Sequence, residues 1–399
     1  IFGILCYPLF MISKIIPKSN KIWVFGAWYG DRYSDNTSYL FEYVNKEMAK
    51  IIPIWVSNKS TIISMVRSMG YKAFHKNSFW GFYYGARAAV TFVNCGNSDV
   101  NKYAIGKSLK VQTWHGIPLK KIKNDDEINE NKNQNNFFDK IKSILLVIFP
   151  FLNESFDLII SSSKKVGYRM ASAFRVDPSQ IMETGYPRMD IILAPENNYY
   201  NMINKKHNLS NYGKIILYAP THRKEGMGGT KLFDSMDYYQ MNEFLTQHNA
   251  GLFINMHYYH ELEKNYIFRE NLSNINYLEE KDVQDINKLL PFIDILISDY
   301  SGIILDYLIL DRPIIATSFD LKDYIISDRE LYEDYNKSVL DKNCNNWNEV
   351  QNQLKEIFSG NDISGTFRKK MSKIFFKYSD TNNCKRIIES VTQHLKIPS

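Results

Sequence analysis

Short apolar runs alternate with amphipathic stretches along most of this chain. In the first half the runs are KIWVFGA from Lys21, IIPIWVS from Ile51, AAVTFV from Ala88, LKVQTW from Leu109 and DLIISSS from Asp157. Runs of this length and composition read as strands buried on both faces, and the helical stretches between them predict a mostly parallel sheet covered on both sides. A second series follows the polar, Asn-rich stretch from Glu196 to Tyr212. It comprises KIILYAP from Lys214, GLFINMH from Gly251, IDILIS from Ile293 and PIIATS from Pro313. The pattern therefore predicts an α/β protein of two Rossmann-like domains, residues 21–200 and 205–365, with a helical tail over 366–399. Open α/β sheets bind ligands beyond the carboxyl ends of their strands, so a cleft between two such edges is the expected site.

With 399 residues, 44% of them hydrophobic and 14% aromatic, the chain is long enough for two packed cores. Residues 1–20 are mostly apolar, are broken by Pro8, and close among Lys14, Lys18 and Lys21. They are too short to span a bilayer. The pattern fits an anchor lying in a membrane interface, and a first core helix or strand is the alternative reading. The absence of an initiating Met suggests that something precedes residue 1. No cleavage site of small residues follows the apolar stretch, so it is not read as a secretory signal. The run NDDEINENKNQNN from Asn124 is too polar to pack and reads as a surface loop. The next stretch, FFDKIKSILLVIFPFL, is apolar enough to be a buried helix or one that dips into a membrane interface.

The net charge of +6 suits an anionic substrate or a phospholipid surface, while 49 basic residues against 43 acidic ones is no nucleic-acid signature. Cys6, Cys95, Cys344 and Cys384 are far apart, without a CxxC pair. Neither a zinc site nor a disulfide framework is indicated, and a reducing cytosol is the simpler home.

The candidate chemistry gathers where predicted strands end. In DILISDYSGIILDYLILDRP, from Asp294, a strand runs into the turn Ser298-Asp299-Tyr300-Ser301-Gly302 and then into a helix. Such a turn aims backbone N–H groups and the positive end of a helix dipole at one point, where a diphosphate is well held. Asp306, one turn into the helix, is placed to accept from ribose hydroxyls. An ordinary strand, turn and helix is the competing reading. His115 follows the strand from Leu109, with Gly116 permitting a sharp turn and Lys120 just beyond, which makes His115 a candidate general base. A histidine that only satisfies a buried turn is the alternative. In the second half Thr221 and Arg223 follow one strand and His257 another. Thr221 and Arg223 are candidate phosphate ligands, and His257 is a candidate donor to a bridging or leaving oxygen.

The segments QTWHGIPLKK, METGYPRMD (Met182 to Asp190), ILYAPTHR and DILISDYSGIILDYLILDRPIIATSFDLKDY resemble, in order and spacing, the CDP-glycerol glycerophosphotransferase family of teichoic-acid and capsule-polymer enzymes. The resemblance runs from about Lys21 to Tyr324. It implies a GT-B-like fold and transfer of glycerol phosphate, or a related alditol phosphate, from a CDP-activated donor to a hydroxyl of a lipid-linked or polymeric acceptor. CMP is the product that leaves. It implies no metal and no cofactor, and a peripheral protein at the cytoplasmic face of a bacterial membrane. By resemblance His115 and His257 are the catalytic histidines, and Ser301 and Gly302 lie on the phosphate-binding turn. The chain departs from the family pattern at His222, at Tyr258 after His257, which makes His260 a rival, and at Ile117. A GT-B glycosyltransferase using a nucleotide sugar and a non-catalytic polymer-binding protein are the other two readings of the fold.

Overall fold

The computed structural model describes residues 6–126, 145–146, 149–221, 235–255, 272–279, 282–327, 329–335 and 341–396. The chain forms two compact units. One comprises Ile1–His115, Asn131–Asp190 and Asp380–Ser399, and the other Gly116–Glu130 and Ile191–Ser379.

The first unit is built on a parallel sheet of β1 (Ser19–Phe25), β2 (Ile52–Ser57), β3 (Lys72–His75), β4 (Ala88–Val93), β5 (Leu109–Gln112), β6 (Leu158–Ile160) and β7 (Ile181–Met182). Their spatial order is β3-β2-β1-β4-β5-β6-β7. All six residues of β4 are buried, as are Ile22 to Phe25 of β1, because helices cover both faces of the sheet's centre. Trp23, Phe25, Phe41, Trp55 and Phe92 fill this core, with Phe25 and Phe92 stacked 4.8 Å apart. The strand order reverses direction between β1 and β4. The loops leaving these two neighbours meet at the carboxyl edge, where the Tyr29 N–H donates to Asp99 Oδ1.

The second unit repeats the plan with β8 (Lys214–Ala219), β9 (Ala250–Asn255), β10 (Ile275–Leu278), β11 (Ile295–Ser298), β12 (Ile314–Thr317) and β13 (Asn343–Cys344). Its order is β10-β9-β8-β11-β12-β13, all pairs parallel, with the reversal between β8 and β11. Ile216, Tyr218, Leu252, Ile254, Ile297 and Trp347 lie in its core.

The division of the chain differs from the expected one in three places. Residues 116–130 belong with the second unit, where Lys120 bridges Leu331 and the Lys121 N–H donates to the Glu330 carbonyl. The break after the first unit falls at Asp190, so the helix Asn197–His207 opens the second unit. The tail is not one body. Helix Gly365–Phe375 stays with the second unit, whereas helix Asn383–His394 returns to the first.

The return is fixed by one carboxylate. Asp190 accepts from the backbone N–H groups of Asn383 and Cys384 at 2.9 and 2.8 Å, satisfying donors that the first turn of a helix leaves unpaired. Gly185 supports this junction with a left-handed φ of +84°, and a Cβ there would run into Asn383 Oδ1. Gly185→Ala is expected to lower the urea midpoint. The backbone conformation alone costs about 1–2 kcal/mol, and the clash adds to it. An unchanged midpoint would show that the helix is not pinned at this point.

Candidate functional site

Two groups of residues occupy the two strand-order reversals, one in each unit. In the first, Trp114 carries the chain out of β5 with a left-handed φ of 51°, a conformation costly for a bulky residue and held only where its surroundings enforce it. The enforcement is visible. Asn36 Nδ2 donates to the carbonyls of Thr113 and Trp114 at 3.1 and 3.0 Å, and the Trp114 N–H donates to Gln112 Oε1. Arg188 Nη1 donates to the His115 carbonyl at 3.0 Å, the Arg188 N–H donates to Asn36 Oδ1, and its buried guanidinium lies 3.6 Å from Asp35.

The His115 ring is half-buried between Trp114 and Trp28, with centroids 4.1 and 4.9 Å away. Its Nδ1 lies 3.2 Å from the Asn94 carbonyl oxygen. A carbonyl only accepts, so this bond requires the proton on Nδ1, and in the neutral ring the lone pair is then on Nε2. Cys95 Sγ is 3.9 Å from the same nitrogen.

Asn94 is itself held by Asp99, which is wholly buried between the loops that follow β1 and β4. Asp99 Oδ2 accepts from the N–H groups of Asn94, Cys95 and Gly96 at 2.8, 2.8 and 3.3 Å, and Oδ1 from Tyr29 at 2.7 Å. The Trp28 N–H donates to Asn94 Oδ1, closing a turn in which Trp28, Tyr29 and Gly30 are all left-handed. Burial pushes the Asp99 carboxyl up to about 6, against the opposing pull of those four donors.

In the second unit the turn after β11 is tied to the end of β8. Ser298 is fully buried and its hydroxyl donates to the Ala219 carbonyl at 2.5 Å. Asp299 is buried too. Its Oδ1 accepts from the Thr221 N–H at 2.7 Å, and its carbonyl accepts from the Tyr335 hydroxyl at 2.9 Å. These two side chains, in the turn expected from the sequence to bind the donor, thus lie inside the unit and hold the turn in place.

Ser301 and Gly302 are half-buried, and the Ile303 N–H donates to Ser301 Oγ at 3.4 Å. The helix that follows is shorter than expected. It runs over Ile303–Tyr307, continues as a 3-10 turn over Leu308–Leu310, and stops at left-handed Asp311. Any pull on an anion therefore comes from the N–H groups of its first turn more than from a long dipole. Asp306 is 3% exposed, its carboxylate lying within the unit.

Gly116 opens the segment that joins this unit. Its neighbour Ile117 is buried, and a Cβ on Gly302 would stand 3.0 Å from the Ile117 carbonyl oxygen, so the glycine permits that close approach. Lys120 Nζ lies 5.7 Å from the centre of the Tyr324 ring. Arg223 and His257, together with His222 and His260, are outside the described residues.

Asn94, Asp99, Arg188, Asn36 and Trp28 had no role in the sequence reading. Arg188 stood in the quoted METGYPRMD segment without an assignment, and that block was the one available signal. Nothing in single-sequence spacing joins Asn94 or Asp99 to His115.

A family model described as CDP-Glycerol:Poly(glycerophosphate) glycerophosphotransferase matches residues 8–393. A teichoic acid glycerol-phosphate transferase of Staphylococcus aureus (strain NCTC 8325 / PS 47) is 28% identical over 362 residues, covering 88% of this chain and 87% of the relative. A teichoic acid poly(glycerol phosphate) polymerase of Bacillus spizizenii (strain ATCC 23059 / NRRL B-14472 / W23) is 29% identical over 350 residues, covering 82% of each. Among solved structures, the wall teichoic acid polymerase TagF superposes with a TM-score of 0.76 at 21% identity, covering 98% of this chain and 94% of that one.

Proposed function

The chain belongs to the CDP-glycerol:poly(glycerophosphate) glycerophosphotransferase family, and from that premise we propose that the groups at its two strand-order reversals serve one phosphoryl transfer. The protein is a GT-B-like transferase that moves glycerol phosphate, or a related alditol phosphate, from a CDP-activated donor to a hydroxyl of a polymeric acceptor. The acceptor oxygen forms a bond to the β-phosphorus, the bond from that phosphorus to the bridging oxygen breaks, and CMP leaves with the electron pair.

His115 takes the acceptor's proton on Nε2. The observation that carries this assignment is the bond from Nδ1–H to the Asn94 carbonyl, since it fixes the tautomer a base requires. The backbone N–H groups near Ser301 and Gly302, with Thr221, Arg223 and His257, stabilise charge on the phosphate oxygens and on CMP. Ser298 and Asp299 hold that turn, and Gly116 leads the chain from the base to it. Lys120 adds a cation for the donor, while the buried Asp306 carboxylate stays within the unit behind the turn. Ile117, whose carbonyl abuts Gly302, is two residues beyond His115 along the chain. Positioning and charge stabilisation dominate the rate effect in such a reaction.

The donor is CDP-glycerol or a close CDP-alditol, and the product is a teichoic-acid or capsule-type polymer made on a lipid-linked acceptor. The protein works peripherally at the cytoplasmic face of the bacterial membrane. Among the described residues no helix is long and apolar enough to cross a membrane. Incubation of purified protein with CDP-glycerol and CDP-ribitol separately, each with a lipid-linked acceptor, tests the reading through CMP release and product length. Release from neither brings the nucleotide-sugar reading forward. Because fixed cations and N–H groups supply the charge stabilisation in this scheme, activity is expected to survive EDTA. Strict Mg²⁺ dependence would count against it.

A further inference from the structure

The turn after β1 is strained, is held from several sides, and sets an indole against His115. Trp28, Tyr29 and Gly30 follow one another with φ of 49°, 58° and 88°, and the first two are bulky residues for which the left-handed region is costly. Loops from three other strands keep them there. Beyond β4, Asn94 Oδ1 accepts from the Trp28 N–H at 2.9 Å and Asp99 Oδ1 from the Tyr29 N–H at 2.7 Å. At the ends of β2 and β3, Asn58 Nδ2 and Lys76 Nζ donate to the Tyr29 carbonyl, and the Asn58 N–H and Ser57 Oγ donate to the Gly30 carbonyl. The Trp28 ring is thereby placed 4.9 Å from that of His115. Trp114, also left-handed, lies 4.1 Å from the histidine on its other contact and packs against Phe174 at 5.2 Å. Both indoles at this ring thus come from strained backbone, which gathers at functional positions.

The Trp28 Nε1–H is buried and has no hydrogen-bond partner among the described residues. A phenylalanine would form the same wall without stranding a donor. What indole adds is the aromatic face that best attracts a cation. A cation forms beside it when His115 takes a proton, on a half-buried ring whose desolvation opposes the charge. The other groups near the ring are Cys95, with Sγ 3.9 Å from Nδ1, and Arg188, which donates to the His115 carbonyl and lies 3.6 Å from Asp35. Asp99 stands behind Asn94, and the Arg32 guanidinium is 5.6 Å from the Trp28 ring centre. The two arginines oppose a further positive charge, and the indole faces attract it.

We propose that Trp28 is a positioning and charge-stabilising residue of the transfer, its indole acting with that of Trp114 to favour the imidazolium that forms as the acceptor hydroxyl gives up its proton. The proton passes from the acceptor oxygen to Nε2 as that oxygen bonds to phosphorus. For its effect on rate the proposal rests on His115 being the base, as given above. The hold of the indole on the protonated ring does not depend on that assignment.

Nitrogen-15 titration of His115 in the free protein, compared among the parent, Trp28→Phe and Trp28→Leu, reads this hold directly. The ring is expected to titrate at the highest pH in the parent, lower in Trp28→Phe and lowest in Trp28→Leu. With CDP-glycerol and an acceptor, kcat should fall by roughly 3- to 30-fold in Trp28→Leu and by less in Trp28→Phe, while calorimetric donor affinity stays that of the parent. Thermal melting checks the fold of each variant, and Trp28→Phe, which keeps a ring in the wall, carries the comparison if the leucine variant melts early. Titration at one pH in all three proteins, or at higher pH in the variants, would overturn the proposal. So would equal losses of kcat in the two variants, which would make Trp28 a wall and no more. The base assignment fails separately, through a His115→Gln protein that turns over unimpaired.

Discussion

Replacing His115 with Gln lowers the rate of CMP release by roughly 10²- to 10⁴-fold, with donor affinity left as it was. The side chain is near in size and still offers a polar tip between Trp28 and Trp114, but it has no basic nitrogen to take the acceptor's proton. The loss falls on kcat because the base acts only as the acceptor hydroxyl attacks. Initial-rate assays with varied CDP-glycerol, together with calorimetric titration of the donor, separate the two effects. Equal loss of donor binding would mean that His115 holds the donor, and unaltered turnover would remove it from the mechanism.

Asp99→Asn has the second largest expected effect, at a residue that touches no substrate in this scheme. One buried carboxylate gathers four backbone N–H groups and so fixes Asn94, whose carbonyl fixes the His115 tautomer. The amide keeps the shape but turns a donor toward donors. The loops must then shift, and a displacement near 1 Å costs up to roughly 10²-fold in kcat.

The stability and the activity that depend on Asp99 respond to pH in opposite directions. The folded carboxyl titrates at about 6, above its ordinary 3.8. Between those values the folded state holds the proton more tightly than the unfolded chain. The contribution of Asp99 to stability therefore declines as pH rises through this window and stays low above it. Activity runs the other way, because protonation below about 6 removes an acceptor from the donors that place Asn94. Lys76 is a cation facing this region, with Nζ donating to the Tyr29 and Ser98 carbonyls. On the acid side the parent should lose activity with two protons, one on Asp99 and one on the base. Asp99→Asn should lose it with one. A nitrogen-15 spectrum of His115 showing the Nδ1–H tautomer in the parent and a mixture in the variant completes the test. Identical acid limbs would confine Asp99 to a structural role.

The sheet centres were readable from the chain because their strands are covered on both faces and so are apolar without interruption. β3, β7, β10 and β13 were not, and each stands at an edge of its sheet. Edge strands are short, pair on one side and tolerate polar residues such as Lys72, His75 and Asn276, so no apolar run marks them. The glycine and serine turn after β11 and the histidine after β5 were readable because local order, strand then turn, defines them. The support of His115 was not. Asn36, the Asn94–Asp99 loop and Arg188 come from three separate stretches that meet only when the sheet is assembled, and a buried carboxylate receiving backbone N–H groups looks in sequence like any loop aspartate. The return of the C-terminal helix to Asp190 was missed for the same reason, since its capping partner is nearly 200 residues away along the chain.

The identity of the nucleotide released during a single turnover tests the central claim most directly. With CDP-glycerol and an acceptor hydroxyl, attack on the β-phosphorus yields CMP and a new phosphodiester, both resolvable by phosphorus-31 spectroscopy. CMP appearing in step with that phosphodiester is the predicted result. Release of CDP, which would mean cleavage on the alditol side as in sugar transfer, would contradict it.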